Sequence, residues 1–216
     1  MNVNHDTPRS PSLQNAFDVA DDSDLQGRRT RRALWQALVE LLVEKPLQDI
    51  RVSEITARAS VHRVTFYKHF ENKQDLLERG SYEIFSALAG RLDNPPASLQ
   101  HTRSGAAPRN FVALFEYVQD NRRALSALLA RDPTIGFERS LAAFFENLAR
   151  KRIADLSAAQ EQEFPLRSGM PPDFVAAFSA GALVATIRWW LDADCRPQAE
   201  ELARKIGSIF AGAFLQ

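Results

Sequence analysis

Residues 52–77, VSEITARASVHRVTFYKHFENKQDLL, decide the fold. They read as a short helix, a tight turn, a second short helix and the start of a longer one. Ile55, Ala59, Val61, Phe66 and Phe70 are spaced to meet in one small core. Between them stand Arg58, His62, Arg63, Thr65, Tyr67, Lys68, His69 and Lys73, all hydrogen-bond donors and most of them able to carry positive charge. A helix-turn-helix needs this division: one face locks two helices together and the other offers donors to a phosphate-lined groove. The second helix is expected to span about 62–70. His62 and Arg63 then stand at its N-terminus, where side chains reach base edges in the major groove. Arg63 suits the O6 and N7 acceptors of a guanine, and Val64 offers methyls to a thymine methyl. The competing reading of His62 and His69 is a pair of exposed polar side chains with no partner.

Upstream, RRTRRALWQALVELLVEKP puts Leu34, Leu38, Leu41 and Leu42 on one helical stripe that Pro46 ends. Arg28, Arg29, Arg31 and Arg32 fall in the expected first turn, where the helix dipole disfavours cations. A polyanion beside the helix start explains that placement; a solvated basic end is the alternative. Residues 1–27 combine Pro, Ser, Asn and Asp with few apolar side chains and are expected to be disordered. Charge over the whole chain balances, with 27 Lys+Arg against 27 Asp+Glu. It does not balance locally. The first 27 residues hold one Arg against five Asp, whereas residues 28–94 hold twelve basic against nine acidic side chains. The positive excess thus falls on the expected DNA-binding segment.

Downstream, ENKQDLLERGSYEIFSALAGRL continues as a helix capped by Asn72, with Asp75 in its first turn. Its stripe of Leu76, Leu77, Ile84, Phe85 and Leu88 is long enough to leave a small domain and touch a larger one. Residues 93–108 are rich in Pro, Gly, Ser and Asn and read as a linker. Five apolar helical patterns follow, near 109–119, 121–131, 134–158, 172–192 and 197–215. They carry many aromatics. Phe111, Phe115, Phe137, Phe144, Phe145 and Phe178 are ordinary core on one reading and the walls of an apolar or aromatic ligand pocket on the other. Arg188 is the candidate polar anchor. Phe174–Leu191 is apolar on nearly every face, so something must cover it all round. Its length is marginal for a membrane, and Arg188 interrupts it between Asp173 and Asp192. Burial on two sides, in the domain core and against a partner subunit rather than lipid, is the expectation. Ala182, Trp189, Trp190, Leu202, Ile206, Ile209 and Phe210 are the residues expected at that interface, although adjacent Trp189 and Trp190 cannot face the same way.

The segment Arg28–Leu92, roughly a third of the chain, resembles the DNA-binding domain of the TetR (tetracycline-repressor-like) family. VTFYKHFENKQDLL carries most of the likeness, because an aromatic pair, a basic pair, a Phe and an Asn-x-Lys coincide. The resemblance implies an all-α, two-domain homodimer: a helix-turn-helix domain at 28–92, its connecting helix at about 72–92, and a ligand-binding and dimerisation domain at 93–216. It implies phosphate contacts from Thr65, Tyr67 and Lys73, with Lys68 or His69 adding to them. The last two helices would pair with their copies as a four-helix interface. Three positions depart from the family pattern, the first being Val64, which stands where Gly is often found. Arg51, also a candidate DNA contact, stands where a capping Thr or Ser is usual, with Ser53 as the alternative cap. Ser60 stands where Gly commonly relieves a positive φ. By resemblance, double-stranded DNA with a palindromic operator and a small-molecule effector are the partners, and the protein is a repressor that the ligand releases. A ligand-independent regulator or an activator of the same fold stays open.

Other chemistry finds little footing. There is no Gly-rich phosphate loop, nucleophile elbow or Cys pair, and the four His are scattered without metal-ligand spacing. The sequence points to no enzyme, cofactor or metal. One Cys excludes an internal disulfide framework and, with a polar N-terminus lacking the apolar run of a signal peptide, suits the cytoplasm. Asp192 and Asp194 disfavour a reactive thiolate at Cys195. The rival of another class is a helical interaction module without sequence-specific DNA binding, which leaves the Arg63, Thr65, Tyr67 and Lys73 pattern unexplained.

Overall fold

A computed structural model describes residues 25–92, 107–129, 136–159 and 169–214. Among them are nine α-helices and no strand. They are α1 (Leu25–Glu44), α2 (Val52–Arg58), α3 (Arg63–His69), α4 (Lys73–Leu92), α5 (Arg109–Asp120), α6 (Arg122–Leu128), α7 (Phe137–Ala159), α8 (Pro172–Asp192) and α9 (Ala199–Phe214), with a 3₁₀ turn at Leu47–Asp49. The all-α expectation holds. The tail expected at 1–27 and the linker at 93–108 fall mostly outside the described residues. Where the two meet, α1 starts at Leu25, three residues before the expected Arg28. Leu25 is exposed and Gly27 reads as a breaker, so neither extends the apolar stripe that marks the helix in sequence.

The N-terminal core forms as the spacing demanded. Leu34, Leu38 and Leu41 of α1 are buried with Ile55 of α2, Phe66 of α3, Phe70, and Leu76 and Leu77 of α4. Phe66 and Phe70 are 0–1% exposed, with ring centroids 5.8 Å apart. Gly80 lets α4 lie directly on α1: a Cβ there would sit 2.1 Å from a ring carbon of Trp35. Two ion pairs fasten α2 beneath α1. Arg58 donates to both oxygens of Glu44 at 2.5 and 3.2 Å, and Lys45 pairs with Glu54 at 2.6 Å.

Helix α4 runs out of this core into the C-terminal domain, where Ile84, Leu88 and Leu92 join the buried cluster with α5 and α7. The C-terminal helices pack chiefly as two pairs, α7 on α8 and α5 on α9, and α6 returns to contact α1. Gly207 of α9 admits Pro108 at the start of α5, since its Cβ would meet the proline ring at 2.6 Å. After α8 the chain turns sharply through Asp194 and Cys195, both at positive φ (+52° and +57°). The Cys195 N–H donates to Trp190 O, and the indole N–H of Trp190 donates to Pro197 O. Burial pushes the Cys195 thiol up, Arg122 opposes that, and Asp194 adds to it. The thiol is an inert core group.

Candidate nucleic-acid interface and effector domain

Three local solutions position α3. At its start, His62 is an extended N-cap whose carbonyl accepts from Thr65 and Phe66 N–H. At the preceding turn, Ser60 adopts φ +53°, the left-handed conformation that glycine takes at lower cost. At the start of α2, the Arg51 side chain makes no cap bond, and Ser53 is not the cap. The Glu54 carboxylate instead accepts from the Arg51 backbone N–H at 2.9 Å, the reciprocal half of a capping box. Lys45 and that N–H, in this order of strength, hold the Glu54 carboxyl below its ordinary range.

The outward face of α3 then carries the expected donors. His62, Arg63, Val64, Tyr67 and Lys68 are exposed, Tyr67 by 49% and Val64 by 67%, while Thr65 and His69 are half-buried. Arg63 and Tyr67 are joined. The guanidinium donates to the phenolic oxygen at 3.3 Å and lies 5.6 Å from the ring centroid. Tyr67 packs edge-on against buried Phe66 at 5.4 Å, so the core of the domain backs the arginine through one ring. Arg29 and Arg51 are exposed and Arg28 half-buried at the starts of α1 and α2.

Lys73 differs from its expected role. Its ammonium donates to the carbonyls of Leu47, Gln48 and Ile50 at 2.7, 2.9 and 2.7 Å. Those bonds occupy all three N–H donors, so in this structure Lys73 tethers α4 to the loop before α2 rather than facing a phosphate. A cation at a helix N-terminus is disfavoured by the dipole, and these carbonyls, brought in from more than twenty residues earlier, offset it. The adjacent cap matches expectation, because Asn72 Oδ1 accepts from the N–H groups of Gln74 and Asp75.

In the C-terminal domain several expected placements change. Phe115, Phe137 and Phe145 are buried core, and Phe111 and Phe144 pack partly buried against it. Phe111 meets Phe210 at 5.6 Å, and Phe115 meets Trp190 edge-on at 5.4 Å. Phe178, expected in a pocket wall, is 54% exposed and stacks on exposed Phe174. Arg188, the expected anchor, pairs with Glu138 at 2.7 Å on a partly exposed flank. Among the interface residues, Trp190 and Leu202 are buried in the chain's own core, and Ile206 and Phe210 pack partly into it. Trp189 (55% exposed), half-buried Ala182 and Ile209 (63%) stay on the outside. For the residues of α8 the cause is that a helix apolar on all sides carries no sequence signal for which side faces inward.

Sequence reasoning placed Phe85 only in the stripe that leaves the small domain, and it gave Tyr117 no role. Phe85 of α4 stacks between Phe137 and Phe144. Tyr117 is fully buried, its hydroxyl has no hydrogen-bond partner among the described residues, and Arg91 lies 4.6 Å from its ring centroid. Burial pushes that hydroxyl well above the ordinary phenol range despite Arg91.

A helix-turn-helix with donors on its exposed second helix, carried by a larger all-α domain, defines a DNA-binding regulator of transcription. Comparison with known proteins agrees. Residues 34–79 match the family model described as bacterial regulatory proteins, tetR family, and residues 107–212 match a transcriptional regulator C-terminal region. The uncharacterised HTH-type regulator YxbF of Bacillus subtilis is 45% identical over 53 residues, 23% of this chain but only 13% of that protein. The HTH-type transcriptional regulator TcmR of Streptomyces glaucescens is 29% identical over 212 residues, covering 92% of this chain and 88% of the relative. Among solved structures, NalD, the secondary repressor of the MexAB-OprM multidrug efflux pump in Pseudomonas aeruginosa, superposes with a TM-score of 0.64 at 23% identity, over 88% of this chain and 99% of that one. The chain belongs to the TetR family of DNA-binding transcriptional regulators.

Proposed function

We propose that the protein is a cytoplasmic homodimeric repressor. It holds a pseudo-palindromic operator with one α3 in each of two major grooves, and a small apolar or aromatic ligand in the C-terminal domain releases it. The observation that carries the DNA half of this reading is the exposed face of α3, where Arg63 is steadied by Tyr67 beside His62, Val64 and Lys68. Arg63 and His62 read base edges. Thr65, Tyr67, Lys68 and His69 hold the backbone, with Arg28, Arg29 and Arg51 flanking; phosphate contacts set register and base contacts set sequence.

The dimer reading rests on α8. By length and composition this helix could cross a membrane. Its inner face, through Val175, Ala180, Val184, Ile187 and Trp190, lies in the domain core, however, and Arg188 sits in an ion pair. What remains outside is the apolar stripe Phe174, Phe178, Gly181, Ala185 and Trp189, at helical spacing of three or four. A second copy presenting the same stripe buries it, with exposed Ile209 of α9 alongside. The repressor sign is taken from NalD, a repressor by its description.

Selection of bound duplexes from a random pool at moderate salt tests the reading. A pseudo-palindrome with half-sites about one helical turn (~34 Å) apart or somewhat further is the expected result. A single half-site, or no motif from refolded and ligand-stripped protein, overturns it. Placing the enriched sequence upstream of a reporter reads the sign: deletion of the gene raises expression from a repressed promoter and lowers it from an activated one.

A further inference from the structure

The ring of Phe85, on the helix that joins the two domains, sits between two rings of α7. Its centroid is 5.4 Å from that of Phe137 and 5.4 Å from that of Phe144, with interplanar angles of 19° and 15°. Phe137 and Phe144 are seven residues apart, two helical turns, and so share one face of α7. Phe85 thus fills a slot bounded by two rings, lying at 19° and 15° to its own. The other described aromatic contacts of this domain are tilted or edge-on, as at Phe111 with Phe210 (43°), Phe115 with Trp190 (75°) and Phe144 with Phe145 (59°), or lie on the outer face, as at Phe174 with Phe178. Phe137 is 2% exposed, but Phe85 and Phe144 are only half-buried. The slot therefore has a deep wall and a side open towards the surface.

The occupant of this slot belongs to α4, and α4 is tied at its other end to the DNA-binding domain. There Lys73 holds the loop before α2, and Gly80 lies against Trp35 of α1. Within one domain such a ring is packing; between two domains it is a latch. A flat aromatic molecule makes the same two face contacts as the phenyl ring, whereas a saturated body of equal size offers no ring quadrupole to either. We propose that the effector is a planar aromatic molecule that takes the place of the Phe85 ring between Phe137 and Phe144. Its entry detaches α4 from α7 and so alters the setting of the DNA-binding domain. The inference rests on the reading of the protein as a ligand-released regulator, and it names the chemical class of the ligand and the contact that it replaces.

The test uses the full chain with 4-fluorophenylalanine placed at position 85, titrated with 2-naphthol and with its saturated counterpart, decahydro-2-naphthol. The fluorine resonance, shielded between two rings, is expected to move saturably towards its solvent value with 2-naphthol. The saturated alcohol should bind more weakly by on the order of tenfold, the size of two lost ring contacts. A resonance that stays in place while calorimetry shows 2-naphthol binding overturns the proposal, and so does absence of binding up to the solubility limit. Affinity for the selected duplex is followed in the same titrations. If the resonance moves and duplex affinity does not change, the slot stands and ligand-controlled release fails. If another small molecule releases the duplex with the resonance unmoved, release stands and the slot fails. Phe85→Leu keeps an apolar side chain but removes the stacked ring. Its duplex affinity is expected not to respond to 2-naphthol, and a response equal to that of the wild type overturns the latch.

Discussion

Arg63 is already positioned before any duplex arrives, because Tyr67 holds it by a hydrogen bond and a ring face, and Tyr67 in turn rests on buried Phe66. Pre-ordering of this kind lowers the side-chain entropy lost on binding. Arg63→Ala is expected to weaken binding to the selected sequence by about 1–3 kcal/mol, and binding to random duplex by much less. Fluorescence anisotropy on both duplexes checks this, and an equal loss on both would move Arg63 from base reader to phosphate contact. Ser60 offers a cleaner test of stability. A serine at φ +53° bears the left-handed penalty of roughly 1–2 kcal/mol, part of which glycine gives back through its freer unfolded chain. Ser60→Gly should therefore stabilise the protein by about 0.5–1 kcal/mol in urea unfolding. This strain was legible in the sequence, since a helix C-terminus followed by a tight turn asks for positive φ whatever residue stands there. The engagement of Lys73 was not legible, because its three acceptors are carbonyls more than twenty residues earlier in the chain.

At the scale of elements, the N-terminal helices are held by pairings that titrate. Arg58 lowers the Glu44 carboxyl, with burial opposing. Lys45 and the Arg51 N–H lower that of Glu54. For Asp75 burial acts upwards, but the Glu71 N–H and Arg79 outweigh it and the net shift is down. A carboxyl lowered on folding stabilises above its unfolded value and loses that contribution as pH falls through the folded one. The melting temperature of the protein is thus expected to be flat down to about pH 5 and to fall below the ordinary carboxyl value of 4.5. Glu54→Gln should show a shallower fall over that range; an unchanged slope would mean that Glu54 contributes nothing through its charge. The α4 tether has its own signature. Lys73→Met leaves three carbonyls without their donor and is expected to destabilise by about 1–3 kcal/mol. The salt dependence of duplex binding should keep its slope, whereas loss of a phosphate contact reduces the slope by about one. Helix positions themselves were largely readable: α5, α7, α8 and α9 fall within a few residues of their apolar patterns. Which face of α8 turns inward was not, and this one ambiguity misplaced Phe178, Arg188 and Trp190.

At the scale of the whole molecule, the proposed dimer requires two surfaces to work at a fixed separation, the α3 face assigned to DNA and the α8 stripe assigned to a second copy. Phe174, Phe178 and Trp189 are large apolar side chains left on the outside of α8, and small Gly181 and Ala185 between them permit close helix approach. One charge set within such a contact must be buried without a partner. Trp189→Glu changes a side chain that is exposed in the single chain, so the monomer fold should survive, as judged by circular dichroism and by retained cooperative unfolding. Sedimentation should show dimer dissociation rising by on the order of 100-fold or more. The consequence for DNA follows from linkage of two sites. Affinity for the full operator should drop by on the order of 100-fold at protein concentrations below the new dissociation constant, while affinity for an isolated half-site stays as it was. A variant that remains dimeric would assign the interface to another face, and one that loses half-site binding as well would show that α8 also holds α3 in place through the body of the protein.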